Sequence, residues 1–534
     1  MNRATPRSLL VIGGTVAAVV CVPLVYLVIR ALGSGWGPIE QVLSSPNTWR
    51  AAGTSVALAV AVSGTTVAIG VPAAWLITKA RLRWRRLWVV LVVLPLAVPS
   101  FVAAFAWLSL FPPMTGFWAA WLVLSLATVP YVILPTAAAL RSLDPAHEEV
   151  ARTLGARPRE AFLRAALPQV SPAVGGGALL VALYVLSDFG AVSIFRVDVL
   201  SRVIYSSYRA SFDRTSAAVL GIILALLAIL IVAIEQRSRG RAQRWRLATS
   251  APRQLPPVVL TREWRSGGYG LLAAVAILGV GIPVGATIEQ FLTGASAGID
   301  WPDLGAAMST TALYGVVGMV AAVVLALPIG LLAARYPTRA SAILERMSFV
   351  GHALPGVVVG LSVVFLGTRL VPGIYQTLPL LAFAYAVLFI PKAGAAIRGS
   401  IATVPTVLED VARTCGYSPW RAFRTVTMRL ASPGIAAGAV LVLLTVMKEL
   451  PATLMLRPTG DDTLATRLWS LTEIGSYAAA APYAMTLILI GAIPAFLLAF
   501  PLARSVSQYE RPENGEPSDE RGARMRQLGG VERR

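Results

Sequence analysis

Residues able to do chemistry are few in this chain and widely spaced. Its only histidines, His147 and His352, and its only cysteines, Cys21 and Cys415, form no pair at metal-ligand or disulfide spacing. No G-x-x-x-x-G-K-[ST] occurs, so the chain cannot cradle nucleotide phosphates with a P-loop of its own. What remains is a set of ionisable residues inside apolar runs: Asp188, Lys392, Lys448 and Glu449. Burying each costs at least about 2.5–3.5 kcal/mol on insertion scales, so such residues turn away from lipid. Two readings stand open. Asp188, Lys448 and Glu449 line a path near its outer half, where carboxylate oxygens suit a hard cation, or they pair structurally, for instance Glu449 with Lys392. Arg196 and Arg457, at the ends of such runs and 261 positions apart, either attract an anion or anchor the headgroup region, and the second is the better reading.

The elements that must position these residues follow from composition. Of 534 residues, 13% are charged and 56% apolar, where a soluble domain carries about 25% charged. The apolar residues fall in runs of about 20, each enough to cross a hydrocarbon core of roughly 30 Å as a helix. A periplasmic enzyme, a cytosolic catalyst and a disulfide scaffold are excluded. Spans fit at 9–29, 54–77, 87–111, 118–139, 174–195, 215–234, 268–288, 309–332, 347–368, 376–397, 433–456 and 482–503. A net charge of +20 suggests nucleic acid only if the arginines form one patch. They form short clusters between spans instead. With the N-terminus in the cytoplasm, 35 of the 46 basic residues lie inside, as the positive-inside rule requires. Both termini are then cytoplasmic, and no nucleic acid partner is expected.

The chain repeats itself. Thr54 matches Thr310, Pro72 matches Pro328, Pro99 matches Pro355 and Pro135 matches Pro391, each pair 256 positions apart, as 310 − 54 and 391 − 135 both give. After one five-residue insertion Gly155 matches Gly416, Pro158 matches Pro419, Phe162 matches Phe423, Glu149 matches Asp410 and Asp188 matches Glu449, all 261 apart, as 416 − 155 gives. Each copy holds six spans, an even number, so the copies insert in the same orientation about an axis along the membrane normal. The expected organisation is a first repeat over 1–234, an Arg/Pro-rich cytoplasmic linker over 235–267, a second repeat over 268–504, and a polar tail over 505–534 with the composition of a disordered segment.

The loops at 144–168 and 404–429 occupy equivalent places on the cytoplasmic face. In the first, Asp144 serves as N-cap, Pro145 as the first helical residue and Gly155 as the left-handed stop. A second helix starts at Pro158 or at Pro419, with Phe162 or Phe423 on one face.

The run Glu149-Val-Ala, three residues, Gly155, nine residues and then Ala165-x-Leu167-Pro168 resembles the EAA loop of ATP-binding cassette importer permeases. The resemblance implies an all-α transmembrane, type I importer permease fold of two tandem six-helix repeats. It further implies a multi-pass protein of the bacterial inner membrane, with no catalytic residue and no bound cofactor. The implied partners are an ATPase homodimer, docked on Glu149, Gly155, Phe162, Asp410, Gly416 and Phe423, and an extracytoplasmic solute-binding protein. The second loop departs from the pattern at Asp410 and Arg429. The segments Leu186–Tyr205 and Lys448–Trp469 resemble fused permeases of ferric iron importers, which implies ferric iron as cargo. Thiamine importers with fused permeases are the alternative. A proton-coupled carrier with twelve spans is disfavoured because Lys79-Ala-Arg-Leu-Arg-Trp-Arg-Arg86 stands where its signature loop would be.

Overall fold

The structure, a computed structural model, describes residues 6–141, 150, 153–155, 160, 164, 166–209, 213–243, 258–293 and 299–507. Among them helix is the regular structure throughout, apart from a lone parallel bridge between Ala80 and Val258. In lipid each backbone N–H and C=O needs an internal partner, which a helix supplies within one segment.

The first half comprises α1 (Arg7–Leu32), α2 (Trp36–Ser44), α3 (Pro46–Lys79), α4 (Arg85–Val93), α5 (Ser100–Leu110), α6 (Phe117–Arg141), α7 (Leu167–Ser187), α8 (Gly190–Ile194), α9 (Leu200–Arg209) and α10 (Arg214–Gln243). In the second half α11 (Arg262–Ala276) passes through a π turn, Ile277–Gly281, into α12 (Ile282–Thr293). There follow α13 (Trp301–Arg335), α14 (Arg339–Ala353), α15 (Gly356–Arg369), α16 (Leu378–Ala402), α17 (Thr406–Thr414), α18 (Pro419–Ala422), α19 (Met428–Val446), α20 (Pro451–Leu456), α21 (Leu464–Glu473) and α22 (Tyr477–Ser507). Helix α10 continues beyond the expected boundary at 234, and α11 begins before 268.

Two pairs of spans differ from the continuous helices expected. The span at 87–111 is broken: α4 tightens into a 3-10 turn over Leu94–Ala97, and α5 departs at 92°. Pro95 and Pro99 have no amide to donate, and Val98 before Pro99 is extended, so the helical ladder cannot run through. Leu354 and Pro355 make the same break between α14 and α15. Among the described residues ten helices are therefore long and apolar enough to cross a membrane, or eleven with the bent pair counted once, against the twelve expected. The remaining position is the α14–α15 pair, whose apolar helix Gly356–Arg369 has only 14 residues. The spans expected at 174–195 and 433–456 also stop early. Helix α7 ends at Ser187 and α19 at Val446, and the chain restarts as the short helices α8 and α20.

Packing joins the halves closely. Helix α1 lies on α14 and α15 of the other half, while α22 lies on α4 and α5, and α12 on α5. The outer helices of each half thus cover the broken span of the other, and one hydrophobic cluster runs through both. Within each half the fifth span approaches the fourth at a glycine. A Cβ on Gly177 would stand 2.8 Å from the Tyr131 carbonyl, and one on its equivalent Gly438 would stand 2.2 Å from the Ala396 methyl.

Candidate functional site

The second loop is described throughout. Helix α17 ends in a Schellman arrangement: the Tyr417 N–H donates to the Ala412 carbonyl at 3.1 Å, and the Gly416 N–H to the Arg413 carbonyl at 3.0 Å. Gly416 takes φ +87°, where a residue with a Cβ is strained. Ser418 then caps the next turn, accepting from the Arg421 N–H at 3.3 Å, with Pro419 at the first helical position. That turn is not a separate surface helix. It runs through a π turn at Phe423–Thr427 directly into α19, so the second arm of the loop is the root of the following span.

An ion pair fastens the loop to the bundle. Glu409 is buried, its Oε1 3.2 Å from Nη2 of Arg335 at the end of α13, and it accepts from the Thr427 hydroxyl. Nη1 of Arg335 donates to the Val404 carbonyl at 2.9 Å. Asp410, singled out by its match to Glu149, is exposed instead. The inward acid is thus its neighbour, the counterpart of Glu148 at the same 261 offset (409 − 148). Arg335 is the signal that could have pointed there, because it matches Lys79 at 256 (335 − 79).

The other face of the loop is apolar and open. Val407 is 64% exposed, Val411 54% and Trp420 70%. Phe423 is half-buried and stacks on Trp420 with ring centres 5.8 Å apart. In the first loop Gly155 has the same left-handed conformation, φ +91°, and Val150 and Leu154 are exposed. Glu149 and Phe162 lie outside the described residues.

At the two helix breaks the intramembrane carboxylates turn onto their own chain. Oδ1 of Asp188 accepts from the Ala191 N–H at 3.0 Å and the Val192 N–H at 3.3 Å, and Oδ2 accepts from the Ser100 hydroxyl. The Ser201 hydroxyl donates to the Asp188 carbonyl at 2.6 Å. Oε1 of Glu449 accepts from the Ala452 N–H at 2.9 Å, while Oε2 accepts from the Thr453 N–H at 2.9 Å and the Thr453 hydroxyl at 2.6 Å. The donors freed at the start of α8 and α20 are thereby satisfied within the membrane, where leaving them bare costs several kcal/mol each. No ion pair joins Glu449 to Lys392 among the described residues, where Lys392 instead lies 5.4 Å from the Phe389 ring. Lys448 is half-buried beside Glu449. No group of three or more His, Cys, Asp or Glu side chains that could hold a metal ion occurs among the described residues.

Known proteins place this architecture. The family described as "Binding-protein-dependent transport system inner membrane component" matches the chain twice, over residues 66–244 and 326–508. The Fe(3+)-transport system permease protein FbpB 2 of Haemophilus influenzae is 32% identical over 501 residues, 93% of this chain and 99% of that protein. The sulfate transport system permease protein CysT of Escherichia coli is 27% identical over 258 residues, 44% of this chain and 93% of that one. The molybdenum permease ModB of Mycobacterium tuberculosis is 30% identical over 232 residues, 40% and 87% respectively. An inward-facing MetNI methionine transporter structure matches 39% of this chain and 95% of its own, with 19% identity and a TM-score of 0.29.

Proposed function

Since the chain belongs to the family of binding-protein-dependent transport system inner membrane components, we propose that it is the complete membrane pore of a ferric iron importer, with both permease halves fused in one polypeptide. It is a transport subunit and not an enzyme; the ATP-hydrolysing subunit is a separate chain. The observation that carries the cargo is the match to the Haemophilus influenzae Fe(3+) permease, which extends across both halves and nearly the whole of each protein.

Coupling to the ATPase is read from the loops. A short helix with an exposed apolar face, fastened by a buried ion pair and stopped by a left-handed glycine, is a rigid knob suited to a partner's groove. Because the loop's second arm is continuous with α19, a displacement of the knob is passed to that span without a hinge. Gly155, Gly416 and Phe423, with Glu149, Phe162 and Asp410, are assigned to this contact. The arginine asymmetry supports a cytoplasmic position for the loops and both termini, and an extracytoplasmic binding protein then delivers the cargo at the opposite end. Asp188, Lys448 and Glu449 mark the helix breaks that border the path. The two carboxylates act there as caps that hold α8 and α20 in place.

Deleting the gene in a strain lacking other iron uptake routes is the test. Growth on ferric iron as sole iron source should fail, without a thiamine requirement. Normal iron-limited growth together with thiamine auxotrophy would transfer the assignment to thiamine.

A further inference from the structure

A cavity of about 390 Å³ opens at the seam of the two halves, at the end of the bundle opposite the coupling loops. Its polar lining is Tyr205, Tyr208, Arg209 and Arg214 from the first half with Tyr375 and Gln376 from the second, over apolar side chains of α20. No carboxylate lines it among the described residues. The acids nearby are otherwise engaged or set back: Asp213 caps α10 by accepting from the Ser216 N–H at 3.0 Å, and Glu473 stands within electrostatic reach of Tyr205 without entering the lining. Arg209 and Arg214 make no hydrogen bond or ion pair among the described residues.

Below this cavity the charge keeps its sign. Lys448 sits at the break that leads into α20, and Lys392 lies deeper along α16, within electrostatic reach of Lys448. Neither has a carboxylate partner among the described residues, and Lys392 is accessible. Their counterparts in the first half are Thr136 and Ser187, at offsets of 256 and 261 (392 − 136, 448 − 187), so the repeat did not require a cation at either place. Asp188 and Glu449, which could have balanced these charges, are bonded to the amides of α8 and α20.

Resting on the ferric reading above, we propose that the path conducts iron as an anionic complex, its ligands being carboxylate or phosphate oxygens that Arg209, Arg214, Lys448 and Lys392 receive in turn. Four cations without carboxylate partners would repel a bare trivalent ion and equally a cationic organic ring. Guanidinium groups and phenol hydroxyls are instead the donors that anionic oxygens need. The cavity also has the size of sites for small organic ligands, about 300 Å³ and above, which a bare ion does not require.

The test uses the permease assembled with its ATPase in proteoliposomes, supplied with its binding protein and with ⁵⁵Fe presented with ¹⁴C-citrate in one arm and with ³²P-phosphate in the other. Iron should enter together with one of the two anions, and the arm identifies which. Lys448→Met and Arg209→Gln should each lower uptake of both labels by about tenfold, and Lys448→Arg should retain it, because unpaired intramembrane charge is kept for function. Rescue by arginine separates a charge role from a folding defect. Entry of ⁵⁵Fe with neither anion, or undiminished ⁵⁵Fe uptake by Lys448→Met and Arg209→Gln, overturns the proposal. Entry of a labelled anion without iron would leave the anion path standing and remove the ferric assignment, whereas entry of neither label would remove both.

Discussion

The two helix breaks perform one task with different residues. In the first half an aspartate caps α8, and a hydroxyl from the start of α5, Ser100, completes its bonding. In the second half the acid is one methylene longer, and the position equivalent to Ser100, 256 further on, is Gly356. A Cβ there would stand 2.9 Å from Oε1 of Glu449, so the glycine vacates the space the longer carboxylate fills. The hydroxyl then comes from the cap's own helix: Thr453, where the first half has Val192, donates to Oε2 at 2.6 Å. What the fold demands is a carboxylate with three donors at the break; which neighbour gives the third is free to drift, provided acid length and available space change together.

The two matched loops extend the comparison to an anchor, and there the largest effect is expected. Arg335→Met removes the partner of buried Glu409 and should cost about 3–5 kcal/mol, as breaking a buried pair does. The drop should appear as a lower unfolding midpoint of the detergent-solubilised complex and as lost ATPase assembly. Lys79→Met, at the equivalent position in the first half, tests whether that loop is fastened in the same way. Equal losses would make the anchors symmetric, while a silent Lys79→Met would confine the anchor to the second loop.

The helix breaks can be exchanged. Ser100→Gly should cost about 1 kcal/mol through the lost hydrogen bond, and Asp188→Glu about 1–3 kcal/mol through overpacking. The double variant should recover part of both, giving a coupling energy of about 1 kcal/mol in a thermal-unfolding cycle. Strict additivity would show that acid length and the space at position 100 are independent, and the comparison would lose its basis.

Smallest in stability, though not in function, are the left-handed glycines. Gly416→Val and Gly155→Val should each cost roughly 1 kcal/mol locally by forcing a β-branched residue to positive φ. Substrate-stimulated ATP hydrolysis should fall while the protein still inserts, and Gly155→Val should hurt at least as much as Gly416→Val. Full activity in both variants would reduce the loops to topology signals.

Much of this arrangement could be read along the chain because it depends on neighbours in sequence. Gly155 and Gly416 were recognisable as helix stops because a C-terminal left-handed residue is a local requirement, and both take positive φ. Pro99 and Pro355 lie inside the spans expected as continuous at 87–111 and 347–368 and prove to be breaks, since hydropathy averages over a window and does not register a turn such as the 92° one at Pro99. Asp410 stands at the place of Glu149 in the Glu-Val-Ala pattern, 261 positions on, and that alignment does not register which side of the helix faces the bundle. Rotation about α17 decides that and brings Glu409 to Arg335.

Amino-acid order alone determined that the chain lies in a membrane, that it is a duplication, and where the glycine stops of its two matched loops fall. These follow from apolar run length, from repetition at a fixed offset, and from backbone sterics at glycine. Only tertiary structure decided what these charged side chains face. Asp188 and Glu449 bond to amides that open when their own helices break, Glu409 meets an arginine from another span, and Lys392 and Lys448 are left without a carboxylate. The physical reason is that a charge in a low-dielectric interior takes its meaning from the partner within a few ångströms, and helix packing, not sequence spacing, supplies that partner.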